Sequence, residues 1–220
     1  KSDIMPLVDV VAWHPMYGSS PEYDWHRQYY YEYPSIVQEI KDVASAHGFA
    51  GEYVADEMHW QTPDQAAGGW PTYSETKSAK YCARGIVMHL GMDVAVTTIP
   101  LRENPQIFHT SQNLCTVMAG AKPASLSVEI ESEAENIKSY AFSLPNDDKL
   151  LTLWTDGVAV DDDPGVKATL TFPGLSAQKV VGIDVLHGFE QQMTANIEGG
   201  NTVITNLLVK DYPIILRITP

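Results

Sequence analysis

The chain reads as an α/β part followed by an all-β part, and three observations carry that expectation. Before residue 122, apolar strand-like runs alternate with helix-like segments; after it, short β-branched runs recur between Gly, Pro, Asn and Asp. Such alternation predicts parallel strands joined by crossover helices, whose ligands bind at the C-terminal strand ends. The loops agree: those preceding strands, "HGFAGE" and "LGMD", are short, whereas those following strands are long and carry Trp, His, Tyr and acids. Two domains are expected, 1–121 and 122–220.

Residues 7–14, "LVDVVAWH", form a near-continuous apolar run, as in a strand covered on both faces. In 33–48, Ile36, Val37, Ile40, Val43, Ala44 and His47 share one helical stripe, with Pro34 and Ser35 suited to the first turn and Gly48 to the C-terminal end. Residues 49–56 predict a second strand, 75–90 a helix ending at Gly91, 92–100 a third strand and 110–120 a third helix. From 125 to 219, short alternating runs between turn signals predict an antiparallel β-sandwich.

Composition removes several classes of function. The 220 residues are 44% hydrophobic, enough for one large core or two small ones, and no apolar run reaches membrane-spanning length. Lys and Arg number 14 against 28 Asp and Glu, so the formal charge of −14 and the lack of a basic cluster argue against nucleic acid or an anionic membrane as partner. Cys82 and Cys115 have no metal-ligand or redox spacing and read as small buried side chains. His59 and His89 also lack partners at ligand spacing, and "AVDDDPGVK" (159–167) reads as a solvated hairpin loop without the ligand order of a calcium loop. No metal and no cofactor are expected.

The segments "VDVVAWHPMYG", "GEYVADEMHW" and "ETKSAKYCARGIVMHLGMDVAVTTIP", taken in order, resemble strands six, seven and eight of the retaining glycoside hydrolases of clan A, near family 39 or its cellulase-like members. The resemblance implies the last three units of a (β/α)8 TIM barrel followed by a β-sandwich. It places Glu57 at the strand-seven nucleophile, and His14 and Tyr17, in "HPMY", near the groups that close strand six. His59 and Trp60 flank that glutamate and are candidate sugar contacts, as are Trp13 and Trp70, although Trp13 alternates within an apolar run and so points to the core. Asp56, adjacent to Glu57, is expected on the other side of the strand.

Retaining hydrolysis needs one carboxylate to attack the anomeric carbon and a second to protonate the leaving oxygen. Glu57, held by hydrogen bonds from neighbours such as Tyr17 or His14, would be the first. The family's acid/base lies on strand four, which this chain does not contain. The expectation is therefore a C-terminal part that works with the N-terminal remainder of the barrel, in the same or another chain, on a poly- or oligosaccharide, and is inactive alone. The alternative is a non-catalytic carbohydrate-binding or structural protein on the same scaffold.

Overall fold

The computed structural model describes residues 3–16, 18–66, 68–98 and 104–220. Among these the chain is a mixed α/β molecule with few helices and mostly antiparallel sheet. Strand β1 (Val10–Trp13), helix α1 (Asp24–Ala46), strand β2 (Glu52–Met58), helix α2 (Glu75–Gly91), strand β3 (Ala95–Thr98) and helix α3 (Pro105–Val117) follow in the alternating order the sequence predicts. The strands pair in parallel in the order β1-β2-β3, so β2 is central. Residues 99 and 100, predicted to end the third strand, lie outside the described residues.

Helix α1 corrects the sequence reading in length. It starts at Asp24, so Pro34 is interior to it and not in its first turn. Proline has no N–H to give the carbonyl four residues back, that of Tyr30, a loss that normally disfavours an interior proline. Tertiary packing outweighs that cost: His26, Tyr30, Tyr33, Val37 and Ala44 are buried at helical spacing. The predicted stripe splits accordingly. Val37 and Ala44 enter the core, while Ile36 and Ile40 are half-buried and Val43 and His47 are exposed. Helix α3 likewise begins earlier than predicted, with the Asn104 side chain accepting from the Ile107 N–H and Pro105 in the first turn.

Helix α2 is enclosed. Every residue from Ser78 to His89 is buried. Ser74 caps its start by accepting from the Lys77 N–H. Two glycines permit its close approaches: a Cβ on Gly85 would come within 2.6 Å of Met58 Sδ, and one on Gly91 within 2.1 Å of the Tyr140 ring. Cys82 is buried in this helix as expected, but Cys115 is exposed on α3, which corrects the sequence reading.

The rest of the chain is antiparallel. Strands β4 (Lys122–Pro123), β5 (Glu129–Ser132), β6 (Ile137–Ser143), β7 (Lys149–Thr155), β8 (Val166–Phe172), β9 (Lys179–Asp184), β10 (Phe189–Gln192), β11 (Asn196–Glu198), β12 (Asn201–Val209) and β13 (Ile214–Thr219) form two sheets, ordered β10-β9-β13-β7-β6-β4 and β11-β12-β8-β5. Leu151, Leu153 and Leu216 from the first meet Leu170, Phe172 and Ile204 from the second in one core cluster. On its other face the six-stranded sheet contributes Phe142, Leu150, Trp154 and Ile215 to the cluster that contains α2. Burial on both faces explains why "KLLTLWT" reads as an unbroken apolar run.

Polar ties reinforce this seam. The Arg84 guanidinium donates to the carbonyls of Asp211, at 2.5 and 2.8 Å, and of Gly157, at 2.6 Å. Lys80 Nζ pairs with Asp211 Oδ1 at 2.7 Å, both side chains being buried. The Tyr30 hydroxyl donates to Asp156 Oδ1 at 2.7 Å, and Trp154 Nε1 donates to the same oxygen at 3.0 Å.

Candidate functional site

The C-terminal end of β2 carries "ADEM", and its geometry departs from a regular strand. Ala55 lies opposite Val96 and Met58 opposite Thr98, so β2 uses one residue more than β3 over this span. That is a β-bulge, which breaks the two-residue alternation of side chains. The displaced Asp56 carbonyl accepts from Thr97 Oγ1 at 2.5 Å.

The bulge brings two successive carboxylates to one imidazole. His14, immediately after β1, stands with Nδ1 3.2 Å from Glu57 Oε2 and Nε2 3.7 Å from Asp56 Oδ1. Asp56 therefore does not point away from Glu57, as simple alternation predicts. Glu57 is about one-third exposed at 34%, and His14 more so at 60%, so the pair is open to a ligand from solvent.

The other sequence-predicted residues fall differently. His59 is half-buried; desolvation lowers its pKa below the ordinary histidine value, partly offset by the nearby Glu57 charge. Its carbonyl accepts from the Gly18 N–H at 3.0 Å, tying the loop after β1 to the loop after β2. Trp60 is 0% exposed, stacks on Tyr81 with centroids 6.3 Å apart and donates Nε1–H to the Ser19 carbonyl at 2.8 Å. It is a wall of the core and offers no ring face to a ligand in this structure. Tyr17 lies outside the described residues.

Trp13 faces inward and begins a buried polar relay. Its Nε1–H donates to the Tyr33 hydroxyl at 2.9 Å, and that hydroxyl lies 2.7 Å from His89 Nε2. His89 Nδ1 is 2.6 Å from the Gly85 carbonyl, which can only accept. The proton is therefore on Nδ1, and Tyr33 donates to Nε2. Burial pushes the His89 pKa down to about 4, the Gly85 hydrogen bond opposing the shift. The relay joins β1, α1 and α2 beneath the site.

Of an aromatic cleft beside His14, sequence reading named Trp70 but missed Trp25, His26 and Tyr29. Trp25, His26, Tyr29 and Trp70 line it together with His14, around a cavity of ≈ 370 Å³. Its signal was present in "YDWHRQYY", but a polar and aromatic segment ahead of Pro34 reads as loop. Among the described residues no group of three His, Cys, Asp or Glu side chains is arranged to hold a metal, and no helix is long and apolar enough to cross a membrane. Two acids of the run 161–163 are tied down within the protein: Asp161 accepts from Ser74 Oγ, and Asp163 accepts from the N–H groups of Gly165 and Asp211.

No family model matches the chain, and none of the curated proteins matches it in sequence. Solved structures do match in fold, and they are glycoside hydrolases. The GH51 arabinofuranosidase from Xanthomonas axonopodis pv. citri superposes with a TM-score of 0.62 at 12% identity, over 99% of this chain and 55% of that one. The catalytic domain of GH30 xylanase C from Talaromyces cellulolyticus gives 0.49 at 11% identity, over 79% and 42%. A GH27 β-L-arabinopyranosidase from Geobacillus stearothermophilus gives 0.44 at 7% identity, over 79% and 38%. The chain thus spans about half the length, or less, of the structures it matches. At these identities the likeness is one of fold.

Proposed function

We propose that this chain supplies the last three β/α units of a (β/α)8 barrel, residues 1–121, with residues 122–220 as its β-sandwich, in a retaining glycoside hydrolase acting on a poly- or oligosaccharide. The observation that carries this is the position of Glu57: a part-exposed carboxylate on the bulged C-terminal end of the central parallel strand, 3.2 Å from an imidazole on the neighbouring strand end. That end is where barrel enzymes place their chemistry. The glycoside hydrolase fold and the resemblance of "GEYVADEMHW" to strand seven of clan A support the same assignment.

In this reading Glu57 attacks the anomeric carbon, forming a glycosyl ester as the bond to the leaving oxygen breaks. A second carboxyl group, about 5–5.5 Å away, protonates that oxygen and then takes a proton from the water that hydrolyses the ester. His14 orients Glu57 from the side, Nδ1 donating to Oε2. The acid/base comes from the N-terminal remainder of the barrel. A place for that remainder exists beside β1, an edge strand pairing only with β2 among the described residues. There Met5, Val11, Ile36, Ile40 and Val43 line an apolar groove of ≈ 380 Å³, which a preceding β/α unit would cover.

The test is to assay the intact protein and its Glu57→Gln variant on aryl glycosides, with mechanism-based labelling of the nucleophile. The amide keeps the shape and removes the attacking charge, so turnover should fall by several orders of magnitude while sugar binding persists. Undiminished turnover, or a label on another residue, rejects the assignment.

A further inference from the structure

We infer that the aromatic cleft beside His14 is a subsite for a second, uncharged sugar unit, so that the site grips an oligosaccharide and not a single residue. The inference rests on the proposed role of Glu57, because His14 both lines the cleft and stands 3.2 Å from Glu57 Oε2. A ring bound in the cleft would adjoin one bound at the carboxylate.

Three features give the chemistry of the occupant. The first is aromatic surface: Trp25 is 66% exposed, Trp70 44% and Tyr29 37%, grouped around one cavity of ≈ 370 Å³, enough for a sugar ring. Large rings are costly to leave in water, and the C–H face of a sugar is apolar and flat enough to cover them. The second is His26. It is 8% exposed, its Nδ1 lies 2.8 Å from Ser19 Oγ, and its Nε2 is buried with no hydrogen-bond partner among the described residues. Whichever ring nitrogen carries the proton, a sugar hydroxyl can satisfy Nε2, since it both donates and accepts. Trp25 covers the imidazole at 3.7 Å between centroids, so a hydroxyl can reach Nε2 only where this exposed indole is displaced.

The third feature is charge. Desolvation lowers the His26 pKa, so the ring is neutral near pH 7. The carboxylates of Asp56 and Glu57 stand at the His14 end, in a chain of formal charge −14. An anionic ligand finds no fixed cation among the residues lining this cleft and meets repulsion beside it. A neutral polyol fits both the aromatic walls and the single buried polar atom.

The experiment uses the intact protein carrying Glu57→Gln, so that bound sugar is not consumed, and follows binding by calorimetry and tryptophan fluorescence. The probes are neutral di- to tetrasaccharides, the corresponding monosaccharides, and uronic-acid oligosaccharides of the same length. Neutral oligosaccharides should bind more tightly than monosaccharides and than the uronates. Trp70→Ala and Trp25→Ala should each weaken oligosaccharide binding by about tenfold, with Trp70→Phe restoring most of the loss, as a merely structural defect would not. Equal affinity for mono- and oligosaccharides, unchanged affinity in both alanine variants, preference for the uronates, or no binding by any probe overturns the inference. The nucleophile label in the wild-type protein reports on Glu57 alone, so failure of the catalytic assignment is seen separately.

Discussion

His89 shows how strongly burial dictates the behaviour of one side chain. Its ring is enclosed, donates from Nδ1 to Gly85 and accepts at Nε2 from Tyr33, an arrangement that has room for the neutral form only. The unfolded chain protonates this residue near its ordinary value of 6.5, the folded chain only near 4. Above about pH 6.5 both states are neutral and no stability is lost through this group. As pH falls from there towards 4, the unfolded state takes up a proton that the folded state refuses, so stability drops, by about 3 kcal/mol at the end of the window. Denaturant unfolding at pH 7 and pH 4.5 should show a smaller pH loss in His89→Gln than in the native chain. His26 and His59, also lowered by burial, tilt stability the same way in both proteins. An equal pH loss in the two would show that His89 does not carry this dependence.

At the scale of elements, the contact between α2 and β6 rests on the absence of a side chain. Gly91 lies so close to Tyr140 that a Cβ would sit 2.1 Å from the ring, and Tyr140 is itself stacked on Trp154 at 5.9 Å. Gly91→Ala should therefore destabilise the fold by about 1–3 kcal/mol despite alanine's better helix propensity. The double variant Gly91→Ala with Tyr140→Leu should recover part of that loss, measurable as a denaturation midpoint. Which elements exist was legible in the sequence: the apolar runs gave the strands, and the stripe with Gly48 and Gly91 gave the ends of two helices. The first half of α1 was not legible. "DWHRQYYYEY" buries tyrosines and a histidine where periodicity rules look for aliphatics, and Pro34 imitates a helix start. The bulge in β2 was hidden for a different reason, since an extra residue shows only against a partner strand. Sequence therefore pointed to Glu57 with His14 as one neighbour that could hold it, but could not show that Asp56 joins them or that Trp25 and His26 open a cleft alongside.

At the scale of the molecule, the parallel sheet and the antiparallel sheets share a core and are tied by buried charge. Lys80 and Arg84 are both enclosed, and Asp211, Asp156 and the Gly157 carbonyl meet them there. Stripping that cover would break these pairs and expose to water the apolar surface that Phe142, Leu150, Trp154 and Ile215 share with α2. Heating should thus give one calorimetric transition for the described chain, with van't Hoff and calorimetric enthalpies equal. Two separated transitions would show that the two parts unfold independently. The same enclosure has a consequence for heredity. Helices at protein surfaces resist change on the third or fourth positions that face the core and accept it between them, and a saturation mutagenesis map normally displays that rhythm. From Ser78 to His89 no position faces water. The map of this stretch should be one dark, unbroken band, leaving almost no neutral step open to it.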